Sequence, residues 1–160
     1  MYTKRSIVLA LTALTLLVAP VSAGGATQIS GLGYWDDFGE CVDPVTGPEG
    51  QSPDFALKLT GDLEGCFYVV VKTAECRPSG VYMETGYDIF VGDEGTFTTT
   101  YRFTAKYEDC PNLIGEKFGR CQHPIIAGTG TGAYDGVTGH LSMKDDLVAF
   151  NFPYKGHLKW

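Results

Sequence analysis

The sequence has few basic residues, and its only long apolar run lies within the first 23 residues. Its 160 residues include 12 Lys and Arg against 19 Asp and Glu, a net charge of −7. A nucleic-acid-binding surface needs an excess of basic residues, so nucleic acid is not expected as a partner. After residue 23 no apolar run approaches the roughly 20 residues of a membrane-spanning helix. No later segment shows a sustained helical period either, which excludes a coiled coil.

The first 23 residues have the pattern of a secretory signal peptide. Basic residues 4–5 precede an uncharged, mostly apolar stretch over 6–19, which Pro20 ends. Ala23 closes a run of small residues of the kind that signal peptidase cleaves after. We therefore expect a secreted, extracellular protein with a single domain over 24–160 that has no membrane attachment once the signal is removed.

Alternation of apolar and polar residues with a period of two predicts eight β-strands in the rest of the chain. Eight strands joined mostly by short turns predict an all-β fold, a mainly antiparallel up-and-down barrel that leaves no edge strand exposed. A β-sandwich of two sheets is the alternative. The predicted strands cover 28–36, 55–60, 65–73, 80–91, 96–107, 122–131, 138–147 and 150–159.

The fourth and fifth predicted strands form a hairpin whose loop length decides which side chains face inward. A three-residue loop over 93–95 sets Thr85 opposite Phe103 and brings the two more apolar faces together. A two-residue loop would instead set Glu84 opposite Phe103. The three-residue loop is the prediction, and it turns Glu84 and Asp88 outward.

An eight-stranded barrel is either filled by its own side chains or holds one small ligand. The predicted inner face is aromatic and free of charge, and buried tyrosine hydroxyls need partners, which favours a cavity for a small apolar molecule. A packed structural or interaction domain without catalytic activity is the alternative. The residues expected to line the ligand site are Met83, Thr85, Tyr87, Tyr101, Phe103, Met143, Phe152 and Tyr154.

Two segments near the end of the chain resemble a known family. Residues 130–141 read Gly-Thr-Gly-Ala-Tyr-Asp-Gly-Val-Thr-Gly-His-Leu, and residues 154–158 read Tyr-Lys-Gly-His-Leu. This part is similar to the C-terminal part of the allene oxide cyclase barrel, and the related dirigent proteins carry a similar glycine hairpin. The resemblance implies a barrel, commonly oligomeric, that encloses an apolar molecule and steers its cyclisation or coupling without a metal or organic cofactor. It identifies no catalytic residue in this chain.

All five cysteines follow the signal segment, and in an oxidising compartment disulfides are expected. In the predicted meander, Cys110 and Cys121 bracket one loop and form the first expected pair. Cys41 and Cys76 are the second expected pair, because both lie at the same rim. Cys66 then remains as the odd thiol at the opposite rim, packed as a small hydrophobe.

The histidines give no metal site in the sequence. His140 and His157 are expected on the polar outer face, and they are direct cross-strand neighbours if the connecting turn centres between Val148 and Ala149. Zinc would still need a third ligand there. His123 follows Cys121 by two residues, so the two share a strand face and a Cys–His nucleophile is conceivable. A disulfide at Cys121 is the favoured interpretation, and no catalytic residue is assigned.

Overall fold

The computed structural model describes residues 25–37, 39–43 and 45–160. The predicted signal peptide over 1–23 lies outside these ranges. Eight antiparallel strands, each hydrogen-bonded to its sequence neighbours and the last to the first, form a closed barrel. The predicted fold class is therefore confirmed. Within the described residues, no helix is both long and apolar enough to cross a membrane.

Seven of the eight strands lie close to their predicted positions, because alternation of inward and outward residues persists along each of them. One short 3₁₀ helix, Gly132–Tyr134, lies between β6 and β7. The strands are β1 Thr27–Trp35, β2 Phe55–Gly61, β3 Gly65–Cys76, β4 Val81–Gly92, β5 Gly95–Asp109, β6 Ile114–Pro124, β7 Thr138–Lys144 and β8 Phe152–Lys159.

Strand β6 differs from the prediction, which placed it over 122–131. It begins at Ile114, directly after a tight turn at the end of β5, and it ends at Pro124. The segment after it is irregular and lies along the start of β5, where the Ile126 amide donates to the Thr98 carbonyl at 2.9 Å. Its alternating glycines and threonines resemble a strand pattern, but they close one end of the barrel.

The predicted register of the β4–β5 hairpin is wrong by one residue. Gly92 pairs with Gly95, so the loop contains two residues, and Glu84 lies opposite Phe103. A one-residue change reverses every side chain of a strand relative to its partner. Glu84 and Asp88 consequently point into the barrel. The loop is held from outside the hairpin, since the Glu94 carbonyl accepts a hydrogen bond from the Ala133 amide at 2.8 Å.

The outer face of β3 and β4 is covered by the connection between β1 and β2. Cys41 and Val45 of this connection pack against a second hydrophobic cluster formed by Cys66, Tyr68, Val70 and Ile89. The Tyr68 hydroxyl adds a hydrogen bond of 3.0 Å to Asp43. This part of the sheet is therefore buried on both faces, which explains why apolar residues of β4 point outward.

Both predicted disulfide pairings are wrong. The bonds join Cys41 to Cys66 and Cys76 to Cys110, with Cα–Cα distances of 5.8 Å in each. Cys41 reaches Cys66 because the β1–β2 connection crosses the outer wall instead of staying at the rim. Cys121 lies within β6 with its side chain inside the barrel, and it is the one free cysteine of the five, all of which are described.

The end of the barrel that carries the β2–β3 and β4–β5 turns is filled by aromatic side chains. Phe67, Phe90, Phe97 and Tyr134 pack together here, and five of their six ring pairs have centroids 4.8–6.2 Å apart. Tyr154 belongs to the same closed end, where its hydroxyl accepts a hydrogen bond of 2.8 Å from the Leu63 amide. We call these five side chains the aromatic floor, because together they close this end of the lumen.

Candidate ligand-binding site

A cavity of about 610 Å³ lies in the lumen toward the other end of the barrel and opens at the rim that carries the β5–β6 and β7–β8 connections. Its size falls within the usual range for small-molecule sites. Strands from all around the barrel contribute to the wall, since every second side chain points inward. The apolar lining residues are Trp35, Phe55, Leu57, Val69, Phe103, Leu113, Met143, Leu147, Phe150 and Phe152.

An aromatic cluster forms part of the opening. The Trp35 ring lies 5.3 Å from the ring of Phe55 and 5.2 Å from that of Phe152. Trp35 is half-exposed, and Phe150, which also lines the cavity, is 80% exposed. The opening therefore presents an apolar edge to anything that enters the lumen.

Glu84 lies on the cavity wall and is held by two tyrosines. The Tyr82 hydroxyl donates to Glu84 Oε2 at 2.6 Å, and the Tyr101 hydroxyl donates to Oε1 at 2.7 Å. Burial, together with the Glu84 carboxyl, raises the pKa of both phenols above the ordinary value of 10.0. Both tyrosines therefore remain protonated donors, and the carboxylate is fixed in position.

Asp88 and His123 form a polar pair deeper in the lumen. Asp88 Oδ2 lies 2.7 Å from His123 Nδ1 and accepts a second hydrogen bond of 2.7 Å from the Thr99 hydroxyl. Asp88 is 1% exposed and His123 is 3% exposed. The three residues come from neighbouring strands β4, β5 and β6 and directly overlie the aromatic floor, since the His123 ring is 5.7 Å from that of Phe67.

Cys121 lies on the same face of β6 as His123 and also lines the cavity. Burial, and then the charge of Asp88, raise the pKa of its thiol far above the ordinary value of 9.0. A reactive cysteine needs the opposite, a thiolate favoured by positive surroundings. The conceivable Cys–His nucleophile is therefore unsupported, although the two side chains do share the interior.

A pair of acidic residues, Asp145 and Glu116, lies at the opening. Asp145 adjoins Glu116, and burial together with this neighbouring carboxyl raises the pKa of Asp145 to about 8. Between roughly pH 4 and 8 the folded chain holds a proton that the unfolded chain has released. The free energy of unfolding therefore decreases as pH rises through this window.

We expect the substitution Asp145→Asn to increase the free energy of unfolding at about pH 8.5 and to leave it nearly unchanged at about pH 4. The expected gain is about 1–2 kcal/mol, a reduced figure because solvent partly screens the group. Urea unfolding at the two pH values measures it. Asp146→Asn is the matched control. Backbone amides of Ala149 and Val148 lower the pKa of Asp146, so this substitution should decrease the free energy of unfolding at about pH 8.5. Equal effects of Asp145→Asn at both pH values would contradict the raised pKa.

The structure places four of the eight predicted ligand-site residues on the cavity wall, namely Tyr101, Phe103, Met143 and Phe152. Tyr154 faces inward but lies in the closed end. Met83, Thr85 and Tyr87 occupy the outward face of β4, so the prediction that they face the interior is wrong. Its cause is the one-residue register error, which exchanged them for Tyr82, Glu84 and Asp88.

The polar residues of the cavity were missed because each had a simpler explanation in the sequence. Glu84 and Asp88 resembled solvated residues of an outer face, and His123 resembled a loop residue before Pro124. The two-residue turn between Gly92 and Gly95 would have turned Glu84 and Asp88 inward, whereas His123 depends on the separate position of β6. The predicted pairing of His140 with His157 is confirmed, with ring centroids 4.9 Å apart.

Comparisons of the chain with protein-family models, with curated proteins and with solved structures found no match.

Proposed function

We propose that this protein is secreted and binds a small, largely apolar molecule in the barrel lumen, as a cofactor-free scaffold for an isomerisation of the cyclase or dirigent type. The observation that carries the proposal is the cavity of about 610 Å³ in the lumen, which opens to solvent between aromatic side chains. A barrel selected only for packing would fill this space, because voids cost stability. The closed end of the barrel, where aromatic side chains fill the lumen, shows that this chain can fill such a space.

The charges on the wall narrow the ligand class. Carboxyl groups of Glu84, Asp88, Glu116, Asp145 and Asp146 line the cavity, and no Lys or Arg is among its lining residues in the described chain. In a lumen of low dielectric constant, a carboxylate or sulfonate on the ligand would be repelled. The wall therefore disfavours an anionic ligand, and the ligand proposed here is uncharged, with an apolar body against the wall and one polar group toward the buried side chains.

A pair of fluorescent probes tests this proposal. N-phenyl-1-naphthylamine is neutral, and 8-anilinonaphthalene-1-sulfonate is the same molecule with an added sulfonate. We expect the neutral dye to bind one per barrel, with a dissociation constant at least about tenfold lower than that of the sulfonate. Absence of saturable binding of either dye would favour the alternative, a structural or interaction domain.

Substitutions on adjacent residues of β7 locate the bound dye. Met143 is buried on the cavity wall, and Lys144 is exposed on the opposite face of the same strand. We expect Met143→Trp to weaken binding of the neutral dye by about tenfold or more, because an indole fills part of the cavity. Lys144→Trp adds the same group outside and should leave the affinity unchanged. Equal affinities in the two variants would place the dye outside the lumen.

Secretion is supported by the N-terminal sequence pattern and by the two disulfides, which persist in oxidising compartments. N-terminal sequencing of protein recovered from the culture medium should begin at Gly24, directly after Ala23. Recovery of the whole protein with the cells, with residues 1–23 attached, would contradict secretion.

A further inference from the structure

His123 has a ring nitrogen that the described chain leaves without a partner. Its Nδ1 bonds Asp88, but Nε2 is buried and has no hydrogen-bond partner among the described residues. Buried polar atoms in proteins are almost always paired, so an unpaired one at the edge of a cavity points to a group that arrives from outside the chain. The imidazole lines the cavity, which is where that group would lie.

The hydrogen bonds around Asp88 determine which nitrogen carries the proton. Asp88 Oδ2 accepts from the Thr99 hydroxyl, and the Nδ1 of His123 approaches the same oxygen. A carboxylate oxygen accepts and does not donate, so Nδ1 carries the hydrogen. In the neutral imidazole, Nε2 then presents a lone pair to the lumen. An Asp carboxylate behind an imidazole fixes its tautomer and stabilises the imidazolium when Nε2 takes up a proton.

The rings and carboxyl groups around the His123 imidazole suit a base that removes a proton from an uncharged, weakly acidic compound. The centroid of the His123 ring lies 5.7 Å from that of Phe67 and 6.2 Å from that of Tyr101, whose plane is inclined by 29° to the imidazole. These rings limit rotation of the imidazole and keep water from solvating it. The neighbouring carboxyl groups exclude an anionic substrate. A neutral compound with an acidic C–H bond is consistent with both conditions.

We propose that His123 is a catalytic base in this barrel and that its substrates are small uncharged ketones with a proton on the carbon beside the carbonyl. This inference rests on the proposed function, since it requires a ligand in the lumen. Nε2 takes the proton, the C–H electron pair forms a C=C bond, and the carbonyl π electrons move to oxygen. The imidazolium, held by Asp88, lies beside the enolate and balances its negative charge, so the reacting pair stays neutral overall in the acidic lumen. The imidazolium then returns the proton to the same or a conjugated carbon, so the product is an isomer of the substrate and no oxidant or reductant is consumed.

Proton exchange measures this step without knowledge of the natural substrate. The probe is 2-tetralone in D₂O, and loss of the C1 proton signal in NMR spectra reports each removal. We expect wild-type protein to accelerate exchange over buffer and the substitution His123→Gln to reduce that acceleration about 100-fold, the usual contribution of a general base. His140→Gln and His157→Gln, on the outer face, should retain the wild-type rate.

Two further variants keep the test decisive. Met143→Trp retains His123 but narrows the cavity, so it should also lose exchange activity. Thr99→Val removes one donor to Asp88 and should reduce the maximal exchange rate more than it changes the tetralone concentration at half-maximal rate, as expected for a positioning residue. Exchange by wild type no faster than by His123→Gln, with the neutral dye still bound, would overturn the catalytic base and leave ligand binding intact. Absence of saturable binding of the dye by the wild-type protein would overturn both proposals.

Discussion

Replacing Gly86 with alanine is expected to destabilise the barrel by about 3 kcal/mol or more. Gly86 lies on the inward face of β4, directly opposite Tyr101. A Cβ at this position would overlap the carbonyl oxygen of Val70 and the ring of Tyr101. Neither can move freely, because the first is the β3 backbone and the second is held by its hydrogen bond to Glu84. Urea unfolding of Gly86→Ala against wild type measures the loss.

The matched control is Gly33→Ala, at a buried glycine of β1. The nearest atom to a Cβ at Gly33 is the Leu59 Cδ2 at 3.2 Å, which is the end of a flexible side chain. We expect less than about 1 kcal/mol of destabilisation there. The two variants should also differ in their affinity for N-phenyl-1-naphthylamine. Displacement of Tyr101 in Gly86→Ala should weaken binding of the dye, and Gly33→Ala should not. Equal stability losses at both glycines would contradict the close packing of Tyr101 on β4.

Replacing Asp88 is the second change with a large expected effect. Asp88→Ala leaves the Thr99 hydroxyl and His123 Nδ1 buried without an acceptor, which should cost about 3 kcal/mol. Asp88→Asn retains one acceptor oxygen and should cost less than the alanine substitution. Chemical unfolding of both variants gives this order directly.

The control for Asp88→Asn is Asp93→Asn, which removes the same charge from the exposed β4–β5 turn. Its effect on stability should stay within about 0.5 kcal/mol. If Asp88→Asn changed the free energy of unfolding as little as Asp93→Asn, the Asp88 carboxylate would not be the acceptor that holds Thr99 and His123 together. The proton position assigned to the imidazole would then lose its basis.

The closed barrel could be predicted from the sequence because strand alternation is a local property. Strand β5 is the clearest case, since Phe97, Tyr101 and Phe103 are separated by even numbers of residues and all face inward, as a period of two predicts. Closure followed from the number of strands and the short connections between them, without knowledge of any particular contact.

The faces of β4 could not be assigned in the same way because both are buried. Ile89 points outward yet is covered by the β1–β2 connection, whereas Asp88 points inward yet is satisfied by Thr99 and His123. The usual rule that the apolar face is the inner face fails where a second layer of chain packs outside. That layer is attached through the Cys41–Cys66 bond, a contact between distant parts of the sequence.

The polar site was beyond sequence reasoning for a related reason. Its members come from three strands, and their proximity depends on two registers at once, β4 against β5 and β5 against β6. The first register was predicted one residue out, and β6 was predicted eight residues too late. Asp88 and His123 are 35 residues apart in sequence, so no local pattern joins them.

The most direct test of the account is an NMR titration that follows the three histidine rings while N-phenyl-1-naphthylamine is added. His123 lies at the base of the cavity, and His140 and His157 pack against each other outside. We expect the ring signals of His123 to shift and saturate with the dissociation constant given by fluorescence, while those of His140 and His157 stay in place. Saturable dye binding that leaves His123 unchanged, or that shifts the outer pair instead, would contradict a ligand site in the lumen.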